Sequence, residues 1–231
     1  MKNNFKSGQF NSNFGHQYEL ELESKLGKLK NWKKNPSLLV GEILVAESLK
    51  PASITNVSTT TKIKPLSSGG PPKTDLLLTI TLQKGIVRKI CFSCKRSKAK
   101  GRRVTFHEYP ATDFISVLKL NAKIGNLIKQ HQKDGNGRNI QGRKREYLIN
   151  TLSNPVIKKT LAEWVILGKH HVGTKQDDQI VDYVICNERL KTFQQYEIEL
   201  NKSRAGFRTG FSWTYQSKGK GKTIQLKGPV L

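Results

Sequence analysis

Asp75 closes the stretch Gly69-Gly70-Pro71-Pro72-Lys73-Thr74-Asp75, and Lys95 follows twenty residues later, at the end of a β-rich run, in Ser93-Cys94-Lys95. A carboxylate at the start of one strand and a lysine at the end of the next can meet at one rim of a sheet. There the carboxylate can hold a divalent metal while the ammonium steers a water, which is the chemistry of metal-dependent phosphodiester hydrolysis. Strand parity sharpens this. With a period of two, Cys91, Ser93 and Lys95 point one way and Ile90, Phe92 and Cys94 the other, so Ser93 and Lys95 share the face that looks toward Asp75 while the apolar set enters the core.

The elements that must position these residues read as an α/β order. Residues 18–32 place Leu20, Leu22, Leu26 and Leu29 among Glu and Lys, as an amphipathic helix would. Residues 37–49 form a second helical segment with Ser37 as cap and Pro51 as stop. Residues 52–72, rich in Ser, Thr, Gly and Pro, read as a loop with one short strand. Residues 76–82, a Lys84-Gly85 turn and residues 86–92 then form a hairpin of long strands. Downstream, residues 113–132 have helical spacing with a break near Asn121. Pro155 starts a helix over 156–168 whose Leu161, Trp164, Val165 and Ile166 face a core. Residues 180–186 form a strand, and 211–215 with 223–227 form a C-terminal hairpin around Lys218-Gly219-Lys220-Gly221. No internal repeat divides the chain, and residues 1–231 are expected to form a single domain.

Composition points to a polyanionic partner. The 231 residues hold 41 Lys+Arg against 17 Asp+Glu, a formal charge of +24, while 35% hydrophobic residues still supply a core. Such self-repulsion favours a nucleic-acid ligand. The charge is clustered: nine basic residues and no acid lie between Asp75 and Glu108, seven and no acid from Asn201 on, and Arg143-Lys144-Arg145 follow the loop Asp134-Gly135-Asn136-Gly137. These runs read as phosphate contacts, Lys220 and Lys222 at the hairpin tip among them. The segment Gly219-Lys220-Gly221-Lys222-Thr223 has a phosphate-loop look but lacks the first glycine of that pattern, Gln216 standing there.

Three cysteines and no apolar export or stop-transfer run fit a reducing cytoplasm. Cys91 and Cys94 form a C-x-x-C, half of a zinc site. No second pair completes it among Cys186, His16, His107, His131, His170 and His171, so a buried Cys94 beside Phe92 is the preferred reading.

Acid and lysine in this layout resemble the PD-(D/E)XK nuclease fold. Over most of its length the chain also resembles type II restriction endonucleases of the MspI kind, which cut double-stranded DNA within CCGG. The resemblance rests on Gly15-His16-Gln17-Tyr18-Glu19, the Gly69 to Asp75 stretch, Lys95 with Ser97, Val104-Thr105-Phe106-His107-Glu108-Tyr109, and Leu127-Ile128-Lys129-Gln130-His131-Gln132. It is strongest in the tail, in Gly206-Phe207-Arg208-Thr209-Gly210-Phe211-Ser212-Trp213-Thr214-Tyr215 and Ile224-Gln225-Leu226-Lys227-Gly228. Residues 31–68 and 169–201 match poorly.

This resemblance implies a mixed sheet flanked by helices with a basic C-terminal hairpin, and roles for particular residues. Asp75 matches the metal-binding aspartate and Lys95 the catalytic lysine. Ser93 stands where the family has Asn, so Asp75 and the main-chain carbonyl of Cys94 are expected to carry more of the coordination of Mg2+. Glu19 is either a water-mediated ligand or a solvated helix carboxylate. Thr105, Thr214, Gln225 and Lys227 match base-contacting positions; Gln and Lys on one strand face can bond purine edges in the major groove. The implied partner is double-stranded DNA, bound by a monomer or a dimer in a prokaryotic cytoplasm, with a cognate methyltransferase in the same system. Two other classes stay open, a DNA-binding protein decayed from a nuclease and a structural RNA-binding protein. GCGC and other short palindromes stay open beside CCGG.

Overall fold

The computed structural model describes residues 5–97, 103–134, 139–171, 173–174, 176–202, 212–214 and 223–231, with 5–13, 107, 212–214 and 225 described by backbone alone. In chain order its elements are α1 (Phe5–Leu26), α2 (Lys30–Lys33), α3 (Leu38–Ala46), β1 (Ile54–Thr60), β2 (Leu76–Leu82), β3 (Val87–Lys95) and β4 (Val104–Tyr109). Then come α4 (Ala111–Val117), α5 (Ala122–Asp134), α6 (Gly142–Leu152), α7 (Pro155–Ala162), β5 (Tyr183–Cys186), β6 (Arg189–Lys191), α8 (Phe193–Lys202), β7 (Ser212–Thr214) and β8 (Ile224–Gly228). The chain divides into two compact units, residues 1–96 with 172–192 and residues 97–171 with 193–231.

The first unit is a five-stranded mixed sheet in the order β1-β2-β3-β5-β6, antiparallel except where β3 runs parallel to β5. Helix α1 buries Tyr18, Leu22 and Leu26, one residue per turn, and α3 adds Leu39, Val40 and Ile43; both stripes cover Leu76, Leu78, Ile80, Ile90, Phe92 and Cys94 of β2 and β3. Ser37 caps α3, its Oγ accepting from the Val40 amide at 3.4 Å. The β2–β3 turn falls at Lys84 and Gly85, both in the left-handed region with φ of 64° and 74°. Strand β1 is longer than the loop-like composition suggested. Its Thr and Val are β-branched, and their preference for a pleated surface outweighs the polarity of the segment.

Parity along β3 places Ile90, Phe92 and Cys94 in the core as expected, but Cys91 and Ser93 on the opposite face are buried as well. As the middle strand between β2 and β5, β3 is covered on both faces toward its end. The same parity sends the Cys91 and Cys94 thiols to opposite sides, so the C-x-x-C cannot close on one ion. Burial pushes the Cys91 thiol up to about 12 and Cys94 well above its ordinary value, which keeps both protonated.

The second unit holds the antiparallel sheet β4-β8-β7 and helices α4 to α8. The expected break near Asn121 separates α4 from α5, and Asn121 caps α5 by accepting from the Ile124 amide at 3.0 Å. Asn154 and Pro155 start α7, which passes into one π-helical turn, Glu163–Leu167, and stops at Gly168, φ 77°. Leu161, Trp164, Val165 and Ile166 are all buried, with Trp164 edge-on to Phe114 at 4.8 Å. Arg143, Lys144 and Arg145 lie in the first turn of α6 rather than in a loop, because Leu148 and Leu152, one turn apart, dock that helix. Strands β7 and β8 pair, whereas residues 215–222, where the sequence places the hairpin tip with Lys220 and Lys222, lie outside the described residues. Among the described residues no helix is long and apolar enough to cross a membrane.

Candidate active site

The hairpin of β2 and β3 sets the register of the site. The Asp75 amide donates to the Phe92 carbonyl at 2.8 Å, next to the Leu76–Phe92 pair, so its side chain lies beside the last turn of residues on β3. Three donors converge on its Oδ2: the Ser93 hydroxyl at 3.0 Å, the Cys94 amide at 2.7 Å and the Lys95 ammonium at 3.1 Å. The structure therefore brings together Asp75, Ser93, Cys94 and Lys95, as the sequence reading expected. Ser93, standing where the family has Asn, has its buried hydroxyl donating to Asp75.

Among the described residues all of these donors fall on Oδ2, so Oδ1 of Asp75 keeps its lone pairs. Main-chain groups alternate sides along a strand: Phe92 bonds the Asp75 amide, and two residues on Cys94 donates to the Asp75 carboxylate. The Cys94 carbonyl is therefore directed to the same side. A carboxylate oxygen and a main-chain carbonyl are hard donors of the kind that suit Mg2+, so the residues fit a divalent cation. No cluster of three acidic, His or Cys side chains occurs among the described residues.

The charges of the site are coupled. Burial alone would push the Lys95 pKa down, but the adjacent Asp75 carboxylate outweighs it and the value lies above the ordinary one, so Lys95 is an ammonium. Glu19, on α1, is 23% exposed and accepts from His16 in a contact of 3.4 Å. Burial first and the Asp75 charge second raise its pKa, against the pull of His16 and Lys95. Lys73 belongs to the site and was missed. It is buried two residues before Asp75, and burial together with the Lys95 charge brings its pKa down to about 7 against the pull of Asp75. Only its place in the Pro-Lys-Thr-Asp segment could have marked it among 41 basic residues.

Not all of the basic run after Asp75 is free for a ligand. The Arg96 guanidinium lies 5.0 Å from the centroids of both the Phe14 and the Tyr18 ring and pairs with Glu21 at 2.7 Å, which fixes the chain as it leaves β3.

In the second unit the expected base-reading positions gather on the three-stranded sheet. Thr105 on β4 pairs with Lys227 on β8, which pairs with Ser212 on β7; in the neighbouring row Gln225 pairs with Glu108 and with Thr214. Thr105 is exposed and Lys227 half-buried, while Ile224 and Leu226 between them are fully buried. A bulge at Phe106 turns that ring inward against Tyr196, at 4.9 Å. The side chains of Thr214 and Gln225 lie outside the described ones.

Comparison with known proteins matches this arrangement. A family model for the restriction endonuclease MspI matches residues 7–228. The type II restriction enzyme BsuFI of Bacillus subtilis is 30% identical over 93% of the chain, which spans 58% of that enzyme's length. The type II restriction enzyme MspI of a Moraxella species is 24% identical over 92% of the chain and 87% of its own length. A crystal structure of restriction endonuclease MspI in complex with its cognate DNA superposes with a TM-score of 0.76 at 22% identity, covering 97% of this chain and 93% of that one. With the mixed sheet, its helices and the Asp75–Lys95 pair in the same chain, the protein belongs to the MspI restriction endonuclease family.

Proposed function

We propose that the chain is a type II restriction endonuclease that hydrolyses phosphodiester bonds of double-stranded DNA at a short palindrome, CCGG in the first place, with Mg2+ as cofactor. The observation that carries the reading is the Asp75 carboxylate, whose Oδ2 gathers Ser93, the Cys94 amide and Lys95 while Oδ1 stays open. When bound by Asp75 and the Cys94 carbonyl, Mg2+ supplies Lewis-acid polarisation of a phosphoryl oxygen.

The chain's own residues do the rest. Asp75 anchors Lys95 at a fixed position, so its ammonium orients the attacking water in line with the scissile phosphorus and stabilises the negative charge that develops on the phosphoryl oxygens. Ser93 and the Cys94 amide hold the carboxylate in one rotamer, which removes the entropy cost of arranging it in each turnover. Glu19 orders water at the same centre. Thr105, Thr214, Gln225 and Lys227 read base edges from the second unit, and Lys220 and Lys222 contact phosphates. Both units serve one nuclease body, which works in the cytoplasm of a prokaryote beside a methyltransferase of the same specificity.

Incubation with Mg2+ and a long unmethylated DNA, followed by sequencing of the fragment ends, tests the reading. The expected result is discrete fragments whose ends share CCGG. Ends that share another palindrome would keep the enzyme class and change the specificity, and ends without a common sequence would contradict site-specific cleavage.

A further inference from the structure

Helices α5 and α6 enclose a groove of about 350 Å3 in the second unit. Lys123, Asn126, Leu127 and Gln130 line it from α5, at spacings that keep them on one stripe, and Arg143, Lys144 and Tyr147 line it from the first turns of α6. Among the described residues no carboxylate lines it.

The groove is fixed by a polar clip. Asn121 caps α5 through its Oδ1 and donates from Nδ2 to the Tyr147 hydroxyl at 3.2 Å, which ties the two helices at one end. Accepting that bond leaves the Tyr147 O–H free to donate outward. The Lys123 ammonium sits 4.5 Å from the centroid of the Tyr147 ring, which holds it at the groove mouth.

Charge gives the groove its ligand. Lys123, Arg143 and Lys144 are exposed, and among the described residues neither Arg143 nor Lys144 has an ion-pair partner. Three cations, two side-chain amides and a phenol donor in one concave strip suit an anion with several acceptor oxygens. A run of phosphodiesters fits better than a carboxylate, because the cations are spread along two helices rather than focused on a point.

We infer that the α5–α6 groove is a phosphate-binding groove that holds the backbone of duplex DNA, separately from the base-reading sheet. The inference rests on duplex DNA being the protein's ligand, but not on its being cut. The groove anchors the duplex without reading sequence, so it raises affinity for cognate and random DNA alike.

The test compares the full chain with the triple variant Lys123→Gln, Arg143→Gln, Lys144→Gln in Ca2+, with CCGG and scrambled duplexes of equal length, over a salt series. At about 0.9 units of log–log slope per phosphate, loss of two to three contacts means that wild type loses roughly ten- to fortyfold more affinity than the variant between 50 and 200 mM salt, equally on both duplexes. A second measurement needs no variant: acetylation of Lys123 and Lys144 in wild type should be suppressed by either duplex. Salt slopes that coincide, with both lysines acetylated as fast with DNA as without, would overturn the groove. So would protection by inorganic pyrophosphate and not by DNA, which marks a free-anion site. Cleavage in Mg2+ is scored separately: wild type that cuts while the slopes coincide refutes the groove alone, and wild type that shows the slope difference without cutting refutes the nuclease reading alone.

Discussion

Replacing Ser93 by Asp should make the protein less stable without metal and more responsive to it. The Ser93 side chain is fully buried and its Oγ lies 3.0 Å from Asp75 Oδ2, so an aspartate there sets a second carboxylate against the first. Two unit charges about 4 Å apart repel by about 4 kcal/mol at an effective dielectric near 20. The Lys95 ammonium, 3.1 Å from Asp75, is shared between the two and offsets about half of this. A net loss of about 2 kcal/mol lowers the melting temperature of a chain of this size by about 4–8 °C in EDTA. A divalent cation reverses the sign of the effect, because it is now held by two carboxylates. Each tenfold gain in affinity returns about 1.4 kcal/mol at saturating metal. Differential scanning calorimetry across a Mg2+ series reads both arms, and the half-maximal Mg2+ for cleavage should fall in parallel. A Ser93→Asp protein with the wild-type melting temperature in EDTA and the wild-type response to Mg2+ would refute the placement of this side chain against the Asp75 carboxylate.

Two further outcomes follow from the second unit. Gln225→Ala should cost about 1–3 kcal/mol of discrimination at one base pair, whereas Lys220→Ala should weaken binding to all duplexes alike and reduce the salt slope by about one; competition binding at two salt concentrations separates them. His131 is 4% exposed on α5, and burial pushes its pKa down to about 4 from 6.5. Its folded value lies below its unfolded one, so the stability it contributes is complete above about pH 6.5 and is lost as pH falls toward 4, on the order of 3 kcal/mol in all. Urea unfolding at pH 7, 6 and 5 should show about 2 kcal/mol of that loss by pH 5 in wild type and not in His131→Gln.

The Asp75–Lys95 pair was legible because local rules and chemistry agree at it. Asp75 and Lys95 sit at the ends of two apolar strands joined by a Lys84-Gly85 turn, and a hairpin forces such ends together whatever the rest of the chain does. The helix break near Asn121 and the helix start at Pro155 were legible for the same reason, since helix ends are a matter of a few adjacent residues. Non-local pairing was not. That β3 runs parallel to β5, ninety residues on, cannot be read from either segment, and it is why Ser93 is buried rather than facing solvent. Strand β1 was obscured because Thr counts with loop formers by polarity and with strand formers by shape. Lys73 was obscured by its own abundance: in a chain with 41 basic residues, a lysine buried close to Asp75 and Lys95 has no compositional mark.

The central claim is that the Asp75 and Lys95 side chains, joined at 3.1 Å, form a DNA-hydrolysing centre distinct from the residues that read bases. Single-turnover cleavage of a CCGG duplex by wild type, Asp75→Ala and Lys95→Ala, with duplex binding measured on the same preparations, tests it directly. Loss of one charged group that stabilises developing charge costs about 10²–10³ in rate, and loss of the metal-holding carboxylate more. Both variants should therefore cut at least a hundredfold more slowly while binding the duplex within a few-fold of wild type. Cutting at near the wild-type rate by either variant, or loss of binding in step with loss of cutting, would contradict it.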